Sequence, residues 1–164
     1  MDRDYSKITY DDAPWLAAAS ARAVCDAIGA GGHQIFYVGG CVRNALLGVA
    51  ASDVDMSTSA TPEQVIALAE AAGLKPIPTG IEHGTITAVS DGIGYEVTTF
   101  RRDVETDGRR AVVAFSDDIA DDAKRRDFTM NAIYADADGA IVDPLGGMDD
   151  LRSRRVRFID NADQ

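Results

Sequence analysis

Two aspartates, Asp53 and Asp55, are the residues in this sequence whose type and spacing most directly indicate chemistry. Side chains two positions apart on a strand point to the same face of a sheet. Two neighbouring carboxylates repel each other unless cations lie between them. Sites of phosphoryl transfer use such pairs to hold two divalent ions roughly 3.5–4 Å apart. The spacing therefore predicts a metal-binding pair, although an isolated Asp-x-Asp also occurs at solvated strand ends and in turns.

A glycine turn stands shortly before the two aspartates. Apolar residues 36–38 predict a buried strand that leads into Gly39 and Gly40, and a short helix carrying Arg43 follows. Glycine lets the backbone approach a ligand closely and offer N–H groups to phosphates. A phosphate-binding turn followed by a carboxylate pair is typical of nucleotidyl transfer. The sequence contains neither G-x-G-x-x-G nor the P-loop G-x-x-x-x-G-K, which argues against dehydrogenases and P-loop NTPases.

Two further groups of polar residues are candidates to act with this pair. Glu96 lies in the second strand of a predicted hairpin. There it could act as a third metal ligand or as the base for an attacking hydroxyl, and the alternative is an exposed strand residue without a function. The motif R-R-D-F-T-M-N places Arg125, Arg126, Asp127 and Asn131 at a predicted helix start. Guanidinium groups bind phosphates through paired hydrogen bonds, and an acid and an amide four residues apart share a helix face that could bind ribose hydroxyls. The alternative is an aspartate N-cap flanked by surface arginines.

The composition restricts the class of protein. The chain has 164 residues, 46% of them hydrophobic, which is enough for one domain with a core. A net charge of −11 argues against a general nucleic-acid-binding surface and favours a local cationic site for a nucleotide triphosphate. Two cysteines without a disulfide framework favour a reducing cytoplasm. The sequence shows no signal peptide and no apolar run of about 18 residues, so we expect no membrane segment.

The spacing of apolar residues, caps and turns predicts the elements that position these side chains. Strands and helices mix without regular βαβ alternation, which predicts an α+β fold. Residues 1–13 form a polar segment that we expect to be loosely held. Helices are predicted over 14–28, 41–47, 62–72 and 127–135. Strands are predicted over 34–38, 53–56, 85–89, 95–100, 111–115, 141–142 and 155–159, with residues 102–110 as a mobile loop.

Taken together, these motifs resemble the class II tRNA nucleotidyltransferase and bacterial poly(A) polymerase family. The resemblance covers residues 36–159 and rests on YVGGCVRNALLG, SDVDMSTSATPEQV, HGTITAV, YEVTTFRRDVETDGRRAVV, DAKRRDFTMNAIY and DPLGGMDDLRSRRVRFI. It implies a polymerase-beta-like nucleotidyltransferase head domain over residues 14–160, a mixed sheet flanked by helices, and Mg²⁺ as the cofactor. The implied activity is template-independent addition of CMP and AMP, from CTP and ATP, to the 3′ end of tRNA.

The resemblance also implies roles for individual residues. Asp53 and Asp55 correspond to the catalytic metal ligands, and Glu96 corresponds to a third catalytic acid. Residues 102–110 correspond to a flexible loop that helps the switch from C to A addition. The implied nucleotide-binding residues are Gly39, Gly40 and Arg43 for the triphosphate, Arg126 and Asp127 for the ribose, and Arg125 and Asn131 in support. Asp143, Gly146 and Asp149 correspond to the segment that leads out of the head.

Two departures from the family pattern bear on the function. Asn44 stands where the family usually has aspartate, which removes a charge beside the turn. The family continues into a helical neck, whose Glu-Asp-x-x-Arg motif templates the incoming base, and into body and tail domains that hold the tRNA. We expect the 164 residues to be a head domain alone, which would bind tRNA weakly. The alternatives are poly(A) tailing and a non-catalytic nucleotide-binding module that needs a partner chain.

Overall fold

A computed structural model describes residues 7–8, 13–49, 53–106, 110–126 and 128–153. Its helices are α1 (Ala19–Gly29), α2 (Gly40–Leu47), α3 (Pro62–Ala71), α4 (Ile119–Lys124) and α5 (Gly147–Arg152), and 3-10 helices span Pro14–Ala17, Ile81–His83 and Thr129–Asn131. Its strands are β1 (Ile35–Val38), β2 (Asp55–Thr58), β3 (Lys75–Gly80), β4 (Thr85–Ser90), β5 (Ile93–Thr99), β6 (Arg101–Thr106), β7 (Arg110–Phe115), β8 (Tyr134–Ala135) and β9 (Ile141–Val142). Helices and strands mix as predicted, which confirms the α+β fold.

Seven strands form a mixed sheet in the order β3-β4-β5-β2-β1-β8-β9. The pair β2 and β5 is parallel, whereas the other neighbours are antiparallel. The remaining two strands, β6 and β7, form a separate antiparallel ribbon. Among the described residues, no helix is long and apolar enough to cross a lipid bilayer.

The main apolar core lies on one face of this sheet, under α1, α2 and α3. Alternate residues of the central strands point into it, among them Tyr37, Met56 and Val97, all nearly inaccessible to solvent. Because side chains alternate between faces along a strand, Asp55 and Glu96 must point to the other face. The core residues therefore determine which polar side chains emerge on the opposite side.

A smaller apolar cluster covers part of the opposite face. It joins Val38 of β1 and Tyr134 of β8 to Ala123 of α4 and to Ala132, just after the third 3-10 helix. Phe36 packs beside this cluster, with its ring centroid 6.2 Å from that of Tyr134 in an edge-to-face arrangement. The cluster fixes α4 and the 3-10 helix against the sheet, beside the exposed acids.

Several predicted elements are confirmed with their local causes. Helix α3 follows Thr61, whose hydroxyl accepts from the Gln64 N–H while the Gln64 side chain accepts from the Thr61 N–H, a complete capping box. Helix α2 ends at Gly48, which adopts the left-handed conformation that glycine favours. The β4–β5 hairpin turns at Asp91 and Gly92, which both have positive φ, as a tight two-residue turn requires.

Other predictions were wrong, and in most cases a tertiary contact explains the difference. Residues 127–135 contain a short 3-10 helix and then β8, because Tyr134 and Ala135 pair with β1 instead of continuing a helix. Residues 102–106 and 110 belong to the ribbon, so the predicted loop is largely paired strand. The predicted first helix is interrupted at Ala18, which is extended.

Three elements, β3, α4 and α5, lie where no helix or strand was predicted. The prolines at 76 and 78 disfavour a strand in the sequence, yet β3 lies at the edge of the sheet, where proline is tolerated.

Strand β2 begins at Asp55, two residues later than predicted, so Asp53 precedes the strand. The predicted strand over residues 155–159 lies outside the described residues.

Candidate active site

A row of side chains crosses the polar face of the sheet. Asp55 at the start of β2 is paired with Glu96 of β5 on one side and with Val38 of β1 on the other. Neighbouring strands lie about 4.8 Å apart, so the two carboxylates are immediate neighbours on one face. Val38 is the last residue of β1, directly before the glycine turn. The register therefore brings the acids and the turn to the same end of the central strands.

Asp53 lies just before β2, close enough for its charge to act on Asp55. Burial raises the pKa of Asp55, the negative charges of Glu96 and Asp53 raise it further, and the positive charge of Arg126 opposes them. Asp53 and Glu96 are exposed, whereas Asp55 is half-buried. The fold therefore concentrates the three predicted catalytic acids, and a bound cation would relieve their repulsion.

The donor chemistry of this group fits Mg²⁺, which prefers oxygen ligands. Within the described part of the chain, no three His, Cys, Asp or Glu side chains converge closely enough to enclose a metal ion by themselves. Protein sites for Mg²⁺ commonly supply one or two carboxylates and take the remaining ligands from water and substrate phosphates. These acids could therefore hold Mg²⁺ only together with ligands from outside the protein.

The glycine turn joins β1 to α2. Gly39 has φ 83° and ψ −141°, a conformation that side chains with a Cβ rarely adopt, although a Cβ there would contact nothing within 4 Å. Backbone conformation, not space, therefore requires glycine at this position. Gly40 starts α2, and the first N–H groups of a helix have no intrahelical acceptors and carry partial positive charge. The turn can therefore present N–H donors to an anion.

Arg43, one turn into α2, is held by two amide side chains. Its Nη1 donates to Oδ1 of Asn131 at 2.8 Å, and its Nε donates to Oδ1 of Asn44 at 3.2 Å. Asn44 thus holds Arg43 without adding the negative charge that aspartate would bring. Asn131 contacts Arg43 from a short 3-10 helix and not from the predicted α-helix. Asp127, which was predicted to share a helix face with Asn131, lies outside the described residues.

Arg125 and Arg126 follow α4 and share one carboxylate. Arg125 Nε donates to Oδ1 of Asp122 at 3.0 Å, and Arg126 Nη2 donates to Oδ2 at 2.9 Å. Burial raises the pKa of Asp122, but the charges of Arg126 and Arg125 outweigh burial and hold it below the ordinary aspartate value. Sequence reasoning missed Asp122, although its spacing of three and four residues from the arginines places all three on neighbouring helix positions.

The turn and the three arginines line one cleft of about 430 Å³, whose walls are Gly39, Gly40, Arg43, Arg125, Arg126 and Asn131. The cleft therefore brings together all the predicted nucleotide-binding residues that the structure describes. Asp127, the remaining predicted residue, is not among the described residues. Arg126 also donates from Nη2 to Oγ of Ser57 at 3.1 Å, two residues along β2 from Asp55. The cationic cleft consequently adjoins the carboxylate group.

A second cavity of about 540 Å³ lies at the opposite ends of β2 and β5. Asp117, Asp118 and Asp121 line it beside a single arginine, Arg102. Three acids against one cation disfavour a polyphosphate ligand. The smaller cleft therefore matches the predicted chemistry, whereas the larger cavity does not.

The 3-10 helix that carries Asn131 rests on α5. A Cβ at Gly147 would lie 2.1 Å from the carbonyl oxygen of Thr129, so the two segments touch through their backbones. The Thr129 hydroxyl donates to the Asp150 carboxylate, and the Asp143 carboxylate accepts from the Gly147 N–H at 2.8 Å. The D-P-L-G-G-M-D-D segment thus supports the motif that holds Arg43.

The sequence is similar to those of known nucleotidyltransferases. The chain is 46% identical over 135 residues to a CCA-adding enzyme of Oceanobacillus iheyensis and 43% identical over 133 residues to the human mitochondrial CCA tRNA nucleotidyltransferase 1. These alignments cover 81% and 80% of this chain, but 33% and 31% of the relatives. The chain therefore spans about a third of the length of the relatives it matches.

A solved structure shows the same fold. The crystal structure of the Bacillus stearothermophilus CCA-adding enzyme in complex with CTP superposes with a TM-score of 0.75 at 42% identity, over 87% of this chain and 33% of that one. The model of the poly(A) polymerase head domain family matches residues 35–157, which include the carboxylates, the glycine turn and the arginines. By that match, the chain belongs to the poly(A) polymerase head domain family.

Proposed function

We propose that this chain is the catalytic head of an RNA nucleotidyltransferase that adds CMP and AMP, from CTP and ATP, to the 3′ end of tRNA. The observation that carries the proposal is the pairing of Asp55 with Glu96 across parallel strands, beside a cleft lined by three arginines. Acids that bind divalent ions and cations that bind phosphates are the two requirements of nucleotidyl transfer. The CCA-adding relatives favour tRNA as the substrate over other RNA.

In the proposed reaction, the 3′-hydroxyl of the RNA attacks the α-phosphate of the nucleotide and pyrophosphate leaves. Arg43, Arg125 and Arg126 bind the phosphates in the cleft, together with the N–H groups of the glycine turn. Asp53 and Asp55 hold Mg²⁺, and Glu96 completes that site or accepts the proton of the attacking hydroxyl. When bound, Mg²⁺ would lower the pKa of the attacking hydroxyl and would stabilise the negative charge of the leaving pyrophosphate. Asp127 is proposed to bind the ribose together with Arg126.

The experiment that tests this proposal is extension of a tRNA lacking its 3′-terminal CCA, with each nucleotide triphosphate supplied separately and together. We expect slow, Mg²⁺-dependent extension by this chain, with ordered incorporation of C and then A when the family's neck, which templates the incoming base, is supplied in trans. A long A tail on any RNA would favour the poly(A) polymerase alternative, to which the family description also corresponds. Nucleotide binding without extension or pyrophosphate release would favour the non-catalytic module.

Substitutions separate the site from the rest of the fold. Asp53→Ala and Asp55→Ala should each abolish Mg²⁺-dependent transfer while the protein stays folded. Glu70→Ala is the matched control, because Glu70 is an exposed carboxylate on α3, which packs on the other face of the sheet. Near-normal transfer by either aspartate variant, at equal folded fraction, would contradict the assignment.

We also propose that the protein acts in a reducing compartment such as the cytoplasm. Cys25 and Cys41 are both buried free thiols, and burial raises the pKa of both. Buried thiols of raised pKa are poorly reactive, which supports a structural role without disulfide formation.

A further inference from the structure

We propose that Asp122 is a positioning residue that holds Arg125 and Arg126 in the geometry in which they bind the nucleotide's phosphates. This inference rests on the proposed function, because it deepens the role of the cationic cleft. Asp122 neither lines the cleft nor reaches solvent: its side chain is 0% exposed, whereas those of Arg125 and Arg126 are 14% and 17% exposed. The carboxylate therefore acts on a ligand only through the arginines.

The contacts of Asp122 fix both guanidinium groups from behind. Each carboxylate oxygen accepts from a different arginine, at 3.0 Å from Arg125 and 2.9 Å from Arg126. The hydroxyl of Tyr134 donates to Oδ2 at 2.6 Å and accepts from Arg126 Nε at 3.2 Å. Asp122, Arg126 and Tyr134 thus form a closed ring of hydrogen bonds, and Tyr134 belongs to the central sheet.

This ring of hydrogen bonds also connects the arginines to β2, the strand that carries Asp55. Arg126 donates to Ser57 of β2, and Ser57 lies on the same face as Asp55. Tyr134 is paired with Val38, the residue before the glycine turn. Two strands of the sheet therefore fix the position of Arg126 relative to both the metal-binding acids and the turn.

Charge makes the positioning role necessary. Two guanidinium groups side by side repel each other, and burial weakens the screening of that repulsion by water. One carboxylate between them offsets the repulsion and leaves one positive charge in excess. Arg125 and Arg126 both line the cleft, so their remaining N–H groups can donate to a phosphate that takes up this excess charge.

Positioning and simple electrostatics predict opposite results for Asp122→Asn. The substitution keeps the shape but removes a negative charge behind the cleft, so electrostatics alone predicts tighter binding of a polyanion. If Asp122 positions the arginines, the affinity for inorganic tripolyphosphate falls about tenfold, which corresponds to about 1.4 kcal/mol. The measurement is isothermal titration calorimetry with tripolyphosphate on the full chain, at equal folded fraction.

Asp121→Asn is the matched control, because it makes the same change one residue earlier. Asp121 accepts from the Ser116 hydroxyl at 2.7 Å and lines the other cavity. We expect its affinity for tripolyphosphate to stay within about twofold of the unsubstituted chain, a difference of about 0.4 kcal/mol. The affinity for Mn²⁺, as a probe of the acids around Asp55, should change less than threefold in Asp122→Asn. Equal losses of Mn²⁺ and tripolyphosphate binding would indicate general loosening and overturn the proposal.

A milder variant keeps the test decisive if Asp122→Asn does not fold. Tyr134→Phe removes one donor to Asp122 and leaves all charges in place, and we expect two- to fivefold weaker binding of tripolyphosphate. Unchanged or tighter binding in the folded variants overturns the positioning role. If the unsubstituted chain binds neither tripolyphosphate nor ATP, the proposed function itself has failed, which is a distinguishable outcome.

Discussion

Gly147→Ala tests how closely α5 must approach the 3-10 helix that carries Asn131. A Cβ at this position would lie 2.1 Å from the carbonyl oxygen of Thr129, 2.7 Å from its carbonyl carbon and 3.3 Å from Cγ1 of Ile133. Ordinary contacts of a Cβ begin near 3.4 Å, so the backbones must separate by more than 1 Å. Backbone atoms cannot rotate away as a flexible side chain can.

The expected loss of stability lies at the upper end of the range for overpacked cores, about 3 kcal/mol. For a protein of this size, that loss lowers the melting temperature by roughly 6–12 °C. Displacement of Thr129 also moves Asn131, two residues along the chain, which accepts from Arg43 at 2.8 Å. We therefore expect weaker binding of ATP even at temperatures where the variant is fully folded, by about threefold.

The assay combines thermal unfolding followed by circular dichroism with calorimetric titration of ATP. Gly29→Ala is the matched control, because Gly29 ends α1 and a Cβ there meets nothing within 4 Å. That control should be neutral or stabilising by about 0.5 kcal/mol, as expected for Gly to Ala where the backbone permits it. A melting temperature of Gly147→Ala within 2 °C of the unsubstituted chain would refute the steric reasoning.

Three further predictions follow from the caps and charges described above. Thr61→Ala removes the capping box of α3 and should lower the free energy of unfolding by about 1 kcal/mol in urea titrations. Because α3 packs on the face of the sheet opposite the acids, the affinity for ATP should not change, and a loss of ATP affinity at equal folded fraction would contradict that placement. Asn44→Asp keeps an acceptor for Arg43 but adds a negative charge, so calorimetry should show about threefold weaker tripolyphosphate binding, and tighter binding would contradict the charge argument. Because the pKa of Asp122 is lowered in the folded protein, this carboxylate contributes stability above the ordinary aspartate pKa of about 3.9, and that contribution is lost as the pH falls through the folded-state pKa. In urea unfolding measured across acidic pH, Asp122→Asn should therefore lose less stability with falling pH than the unsubstituted chain does. Parallel pH profiles for the two proteins would contradict this assignment of the lowered pKa.

Local signals in the sequence were sufficient for much of the site. The glycine turn and the arginine motif have short-range causes, namely backbone freedom and charge. The spacing of the two aspartates is also a local signal, although only Asp55 lies on a strand. The structure places Asp55 opposite Glu96, which are 41 positions apart in sequence, and this pairing depends on a parallel register. Periodicity shows which face a residue takes on its own strand, but it does not show which strand will be its neighbour.

The remaining errors have the same physical origin. The apolar spacing of residues 128–134 suits a helix, yet pairing of Tyr134 with β1 and the close approach of Gly147 to Thr129 favour a 3-10 helix and a strand. In the sequence Asp122 is one of several acids over residues 117–122, and burial, which the sequence does not show, distinguishes it from Asp121. Tertiary contacts decided these positions, and a single sequence contains no direct record of them.

The prolines of β3 affect how the molecule meets other molecules of its kind. Pro76 and Pro78 have no N–H to donate, and the pairing of β3 with β4 shifts register between Ile77 and Gly80, in the segment that contains Pro78. Strand β3 is the last strand of the sheet on this side, so the edge of the sheet combines prolines with a register shift, two features that disfavour pairing with a further strand. A strand from another chain would find too few partners there to extend the sheet. The protein should therefore resist edge-to-edge aggregation on this side when it is concentrated.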